Sequence, residues 1–148
     1  MHKHILIATD GSELADKAVT HGLELARAIG ARVSAVVVTE QWSSIEMAHE
    51  AEAGAQHPVE VYNEMMAREA RRVLDAVARR ASEAGVPCEA IHVKDSRPAE
   101  AIVETAERQG CDLIVMASHG RRGFNKLLLG SQTAKVLALT STPVLVYR

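Results

Sequence analysis

Short apolar segments that alternate with amphipathic ones constrain the fold of this chain most strongly. Five segments have the composition of strands, namely 5–8, 33–38, 88–93, 112–117 and 143–147. Each pair of successive strands is separated by a longer segment with apolar residues at helical spacing. Strands that alternate with helices form a parallel sheet that is covered on both faces, so the pattern predicts a single-domain α/β fold.

The predicted strand order brings two loops together. Right-handed crossovers and helices on both faces require the winding direction to reverse once, which gives an open, Rossmann-like sheet of order 3-2-1-4-5. Ligands of such sheets bind outside the carboxyl ends of the strands where the direction reverses. That point lies between the first and fourth strands, so residues 8–12 and 116–120 are predicted to line a site.

Composition and charge exclude several classes of protein. With 148 residues and no internal repeat, the chain is predicted to form one domain, residues 1–148. The formal net charge of −2 argues against a general nucleic-acid binder, which is usually strongly basic. No apolar run approaches the roughly 20 residues of a membrane span, and no signal peptide is evident. We therefore expect a cytoplasmic protein with neither nucleic acid nor membrane as a partner.

No familiar catalytic or metal-binding motif is present. The sequence has no Walker A motif, no Gly-x-Gly-x-x-Gly and no zinc-site spacing, and Cys88 and Cys111 fit no redox pattern. His119 follows the fourth predicted strand, but no nucleophile or acid can be assigned as its partner. His2 and His4 lack further ligands and are predicted to lie at the surface. We assign no catalytic residue and no metal site.

The residues after the fourth predicted strand are typical of a phosphate-binding loop. Gly120 allows a ligand to approach the main chain closely, and Gly130 precedes Ser131, where a helix is predicted to begin. The first N–H groups of a helix lack partners within the helix and attract anions. Because Arg121 and Arg122 lie between these two features, we predict that the loop binds phosphate.

Each of these residues also has a purely structural interpretation. Asp10, which follows the first strand, can cap the first helix instead of contacting a ligand, and Ser12 can do the same. The two glycines can simply mark a turn and a helix start, and the arginines can be solvated loop charges. Ser131 can serve as the N-cap of its helix whatever else it does.

Two segments together resemble a known family. The turn Ala-Thr-Asp-Gly-Ser at 8–12 and the segment 117–131, with Ala-Ser-His-Gly and Leu-Leu-Gly-Ser at its ends, resemble the universal stress protein family, and the resemblance covers essentially the whole chain. The signature of its nucleotide-binding branch is Gly, two residues, Gly, nine residues, Gly, then Ser or Thr. Gly120, Gly130 and Ser131 match, whereas Ala117 replaces the first glycine. That methyl group weakens binding if the position needs a positive φ or touches the ligand, and matters little otherwise.

The resemblance implies where an adenine nucleotide lies. Ala8 is expected to line the base pocket, Asp10 to approach the ribose or the adenine, and Val37 to read the adenine edge through its backbone. Met116 and Ala117 are expected to border the ribose. The positions implied to bind phosphate through backbone or hydroxyl groups are Gly120, Gly130, Ser131 and Gln132.

The resemblance also implies a regulatory role in stress adaptation, with ATP, and with it Mg²⁺ or Mn²⁺, as the ligand. Members commonly form homodimers by pairing their last strands, which here run from Pro143 to Tyr147. Another branch of the family lacks the signature and binds no ATP, so a dimeric interaction module without nucleotide is the main alternative. A very slow ATPase is the second alternative, because some members show weak hydrolysis.

Three expectations concern the remaining segments. The connection 40–58 shows no sustained period, although part of it can form a short helix, and we interpret it as a mobile flap over one edge of the sheet. The long helix that follows is predicted to bury Val61 and Met65, and its charges, Glu69 among them, to form a solvated face. The last helix is predicted to turn Leu137 inward.

Overall fold

A computed structural model describes residues 1–41, 44–54, 57–94, 96–121 and 128–148 of the chain. Strands and helices alternate in these residues, except that two helices follow the second strand. In chain order the elements are β1 (His4–Ala8), α1 (Glu13–Ile29), β2 (Arg32–Val38), α2 (Ser44–Glu52), α3 (Pro58–Glu83), β3 (Cys88–Val93), α4 (Pro98–Gln109), β4 (Leu113–Ala117), α5 (Ser131–Leu139) and β5 (Val144–Tyr147). The helix α2 lies within the connection that showed no sustained period.

The five strands form one parallel sheet in the order β3-β2-β1-β4-β5. This confirms the predicted α/β fold and its strand order. β1 is the central strand, where Ile7 pairs with Ala35 of β2 on one side and with Val115 of β4 on the other. The reversal of winding direction therefore lies between β1 and β4, as crossover handedness requires.

Side chains of β1 alternate between two hydrophobic cores. Ile5 and Ile7 belong to the core that the sheet forms with α1 and α3. Leu6 and Ala8 point to the opposite face and belong to the core that includes Val136 of α5 and residues of α4. Helices thus cover both faces of the sheet. None of the helices in the described part of the chain is long and apolar enough to cross a membrane.

The helix α3 is longer than the sheet that it covers. Its 26 residues extend about 39 Å, whereas the six residues of β3 span about 20 Å. Its buried residues begin only at Ala70, and both Val61 and Met65 are exposed, so the prediction that these two join the core was wrong. The first half of α3 extends past the carboxyl edge of the sheet and contacts α2 instead.

Two smaller predictions were also wrong. Leu137 of α5 is exposed, whereas its neighbour Val136 is buried, because the short helix turns a narrow face to the sheet. His4 is buried at the start of β1 rather than exposed at the surface. Its Nε2 lies 2.8 Å from Oγ of Ser34 in β2, and its Nδ1 has no hydrogen-bond partner among the described residues. Burial lowers the pKa of His4 below its ordinary value of 6.5, and the nearby charge of Arg32 acts in the same direction.

We expect His4 to make the domain less stable at acid pH. Because folding lowers its pKa, the unfolded chain takes up the proton first, and the free energy of unfolding falls as the pH drops through 6.5 toward the lower folded pKa. The double variant His4→Leu/Ser34→Ala removes both buried polar side chains. The difference in unfolding free energy between about pH 7.5 and about pH 5.5, from urea titrations, should be smaller in this variant than in the wild type.

His21→Leu is the matched control, because His21 is an exposed histidine of α1 that pairs with Glu24. It should not reduce the loss of stability at acid pH. A pH dependence in the double variant equal to that of the wild type would contradict the role assigned to His4.

Candidate functional site

A cavity of about 470 Å³ opens at the carboxyl edge of the sheet, next to the ends of β1 and β4. Its volume lies within the range of roughly 300–1,000 Å³ that is usual for small-molecule sites. Ten of the eleven residues predicted to bind a ligand line it: Ala8, Asp10, Val37, Met116, Ala117, Gly120, Arg121, Gly130, Ser131 and Gln132. The eleventh, Arg122, lies outside the described residues. The fold thus brings the predicted residues together, and their contact with a ligand stays a prediction.

The two ends of the cavity differ in chemistry. Toward β2 and α3 most of the wall is apolar, with Val36, Val38, Met66 and Ala70, although Glu69 of α3 also lines it. Toward α5 the wall is polar and is formed by residues 130–133. An elongated ligand with a flat apolar group at one end and an anion at the other matches this division.

Asp10 joins the two loops that border the cavity. Its Oδ1 accepts a hydrogen bond from the backbone N–H of Ser12 at 2.9 Å, and its Oδ2 accepts one from the backbone N–H of Arg121 at 2.9 Å. Ser12, and not Asp10, caps α1, since its hydroxyl accepts from Ala15 N–H at 3.3 Å. A Cβ at Gly120 would overlap Oδ2 of Asp10, so the glycine is needed for this contact.

Gly130 also has a packing role that does not depend on a ligand. Its N–H donates to the carbonyl oxygen of Ser118 at 2.7 Å, and a Cβ would lie only 2.6 Å from that oxygen. The hydroxyl of Thr133 donates to the carbonyls of Ala117 and Ser118 at 2.9 and 3.1 Å. The start of α5 is therefore held against the end of β4 by short contacts that leave no room for a side chain.

The N-terminus of α5 lies at the cavity, and its first N–H groups have no acceptor among the described residues. Gly130 is the N-cap and Ser131 is the first helical residue, so the prediction of Ser131 as the N-cap was wrong by one position. No described residue accepts a hydrogen bond from the backbone N–H of Ser131, Gln132 or Thr133. Gln132 uses its side-chain oxygen to accept from Ala99 N–H at 3.3 Å, which leaves its backbone for a ligand. Such an array, at the positive end of the helix dipole, is suited to an anion.

Ala117 has an ordinary strand backbone. It is the last residue of β4. Among the described residues other than glycine, only His57 has a positive φ, so the φ of Ala117 is negative. The side chain of Ala117 belongs to a buried cluster with Ala15 and Ala18 of α1. The requirement for a positive φ that would have made alanine unfavourable is therefore absent at this position.

The wall that α3 contributes was not predicted. Tyr62, Met66 and Glu69 line the cavity because the first half of α3 extends beyond the sheet. Glu69 lies 2.9 Å from the Arg121 guanidinium and also pairs with Arg72, so this helical charge belongs to the site rather than only to a solvated face. Hydrogen bonds from both arginines lower the pKa of Glu69 to about 2. The helical pattern of α3 in the sequence is longer than the strands, and this difference in length could have predicted the wall.

No catalytic arrangement is evident in the described part of the site. His119 lines the cavity, and its Nδ1 lies 3.2 Å from Oγ of the neighbouring Ser118, which is buried. The described residues contain no group of three or more His, Cys, Asp and Glu side chains that could hold a metal ion. The arrangement is suited to holding an anionic ligand by backbone donors and an arginine.

Solved structures share this fold. A Methanocaldococcus jannaschii protein superposes with a TM-score of 0.78 at 30% identity, covering 99% of this chain and 96% of that one. Universal stress proteins have also been solved in complex with cAMP (TM-score 0.73, 24% identity), with dAMP in Archaeoglobus fulgidus (0.68, 19%) and with AMP in Arabidopsis thaliana (0.68, 18%). These three cover 98–99% of this chain and at least 90% of their own. At 18–24% identity, the likeness to these three structures shows the fold alone.

Sequence comparisons cover the whole chain. The chain is 35% identical over 154 residues to a universal stress protein of Thermus aquaticus, with all of both proteins aligned. It is 33% identical over 150 residues to one from Methanocaldococcus jannaschii, covering all of this chain and 83% of the relative. The family model described as "Universal stress protein family" matches residues 1–148. The chain therefore belongs to the universal stress protein family.

Proposed function

We propose that this protein is a cytoplasmic regulatory protein of the stress response that binds ATP in the cavity at the carboxyl edge of the sheet. One observation carries the proposal: the same cavity is lined by a largely apolar wall and by a helix N-terminus whose first N–H groups have no acceptor among the described residues. Complexes of other family members with AMP, cAMP and dAMP support an adenine nucleotide as the ligand class. The proposed action is binding rather than hydrolysis.

The adenine end of the ligand is proposed to lie against β2 and α3. Thr9 N–H donates to the C=O of Val36, so the backbone groups of the even-numbered residues of β2 face β1. Thr39 N–H donates to Val93 of β3, so the backbone groups of the odd-numbered residues face β3. Because β1 ends at Ala8, the groups of Val38 have no strand beside them and border the cavity. We therefore expect the backbone of Val38 to read the adenine edge. The neighbouring Val37, implied by the resemblance, directs its backbone into the ladder with β3.

The phosphate end is proposed to lie at the start of α5. The N–H groups of Ser131, Gln132 and Thr133 donate to phosphate oxygens, and Arg121 supplies a positive charge. Mg²⁺ or Mn²⁺ is proposed to enter with the phosphates of ATP, which supply most ligands of such ions in nucleotide sites. The carboxylate of Asp10 lines the cavity and is one protein group that can contact such an ion.

A dimeric module that binds no nucleotide is the second candidate. One observation favours it: Gly120 and Gly130, the two signature glycines that are present, both have packing reasons within the protein. Their presence is therefore required even without a ligand. Calorimetry with ATP distinguishes the candidates, because a module that binds no nucleotide gives no binding heat.

The homodimer is proposed to form along β5. This strand lies at the edge of the sheet, and its contacts with β4 include the hydrogen bond from Ser118 N–H to Tyr147 C=O at 2.7 Å. Its other edge is unpaired in the described part of the chain, and such edges readily pair with another strand. Leu145 of β5 and Leu137 of α5 are large apolar residues left exposed nearby in sequence. A second copy of the chain is the proposed partner for this edge.

A charge at the first residue of α5 should block nucleotide binding without unfolding the domain. Ser131→Glu places a carboxylate at an exposed helix N-terminus, where it stabilises the helix by about 0.3–1 kcal/mol but repels phosphate. We expect the affinity for ATP, measured by calorimetry, to fall at least about tenfold, or about 1.4 kcal/mol. The melting temperature should be unchanged or slightly higher.

Ser131→Gln is the control, because it adds a side chain of the same size without charge and should retain most of the affinity. Asp10→Ala and Gly130→Val are less suitable, since the first releases two backbone contacts and the second introduces a clash with Ser118. Absence of any heat from ATP with the wild-type protein would reject the proposed function. An equal loss in both Ser131 variants would reject the electrostatic explanation.

The proposed dimer interface is tested by a charge on β5. Leu145→Lys places an ammonium group on the edge strand, so multi-angle light scattering should show a shift from the mass of two chains toward that of one. Met65→Lys is the matched control, because Met65 is also a large exposed apolar residue (59% against 45% for Leu145) but lies on α3. A wild-type mass of one chain, or a Leu145 variant that stays dimeric, would contradict the proposal.

A further inference from the structure

Arg121 is held at both ends, at the rim of the cavity. Its backbone N–H donates to Asp10, and its Nη2 donates to Oε1 of Glu69 on α3 at 2.9 Å. The guanidinium also lies beside the turn after β1, where a Cβ on Gly11 would lie 3.1 Å from Nη2. The side chain therefore spans from the β4–α5 connection to α3.

Glu69 does not depend on Arg121 for charge compensation. Arg72, one helical turn away, binds both of its carboxylate oxygens: Nε donates to Oε2 at 2.9 Å and Nη2 to Oε1 at 2.7 Å. If Arg121 leaves, Glu69 keeps this bidentate pair. Arg121, in contrast, gives Glu69 a single hydrogen bond through one nitrogen, so it is the easier of the two arginines to remove.

The Glu69–Arg121 pair lies where solvent weakens it. The Arg121 side chain is 52% exposed and that of Glu69 is 35% exposed. Ion pairs at such positions contribute little to stability, so exchanging the carboxylate for a phosphate costs little. A phosphate offers more charge and more acceptor oxygens than a carboxylate and forms strong charge-assisted hydrogen bonds with arginine.

From this arrangement we propose that Glu69 is an internal competitor of the phosphate for Arg121 and so sets the affinity of the site for phosphorylated ligands. In the free protein Glu69 holds the arginine at α3. A bound phosphate takes the guanidinium, and Glu69 then remains with Arg72. The inference rests on the proposed nucleotide binding and adds to it the residue that limits its strength. Because the pKa of Glu69 is lowered to about 2, the competitor stays ionised at every pH suitable for binding assays.

The test is a set of affinities measured by calorimetry with ATP and with adenosine. Glu69→Gln keeps the shape of the side chain but removes its charge, so ATP should bind about two- to fivefold more tightly, the range expected for an exposed ion pair. Adenosine, which carries no phosphate, should show a smaller gain in affinity than ATP does. In an Arg121→Gln background the Glu69→Gln change should have much less effect on ATP, because the arginine for which it competes is gone.

Glu64→Gln is the matched control, because Glu64 is a carboxylate of the same helix that pairs with Arg68 and does not line the cavity. It should leave the ATP affinity unchanged. If Glu69→Gln binds ATP as tightly as the wild type or more weakly, the inference is overturned. Binding of ATP by the wild type would still leave the proposed function intact. Equal tightening for adenosine, or an undiminished effect without Arg121, would also overturn it. Binding of ATP by neither protein would reject both the inference and the proposed function.

Discussion

The two hydrogen bonds of Asp10 connect the loops on which the site depends. One carboxylate oxygen holds the N–H of Ser12 in the turn after β1, and the other holds the N–H of Arg121 after β4. These loops become neighbours only because the winding direction reverses between β1 and β4. Gly120 supplies the space that the second bond requires. Through the bond to Arg121, Asp10 also fixes the place from which that arginine reaches Glu69.

The rest of the cavity follows from lengths and packing. The short strands end where the 26-residue α3 continues, so the first half of that helix becomes a wall beside the loops. On the opposite face, the contacts of Gly130 and Thr133 with the end of β4 fix the start of α5 at the cavity, where its first N–H groups have no acceptor among the described residues. An apolar wall, a positive helix end and an arginine shared with a carboxylate thus surround one space.

The sequence was sufficient for the sheet and for the loops at its edge, because strand periodicity and crossover handedness allow few arrangements. It was not sufficient where the answer depends on distances between elements. Glu69 was assigned to a solvated face, since helical periodicity does not say how far a helix extends beyond its sheet. The backbone of Val37 faces β3 and that of Val38 faces the cavity, because one residue of register decides which neighbour a backbone group faces. The effect of Ala117 depended on its φ, which residue type alone does not determine.

The central claim, that an adenine nucleotide binds between β1, β4 and the start of α5, is tested most directly by an amide NMR titration with ATP. Saturable shifts are expected at the free donors of Ser131, Gln132 and Thr133 and at Val38 on the opposite wall, with one nucleotide bound per chain. The phosphate and adenine ends of the cavity should respond together, because one ligand contacts both. No shifts at about millimolar ATP, or shifts confined to another surface, would contradict the claim.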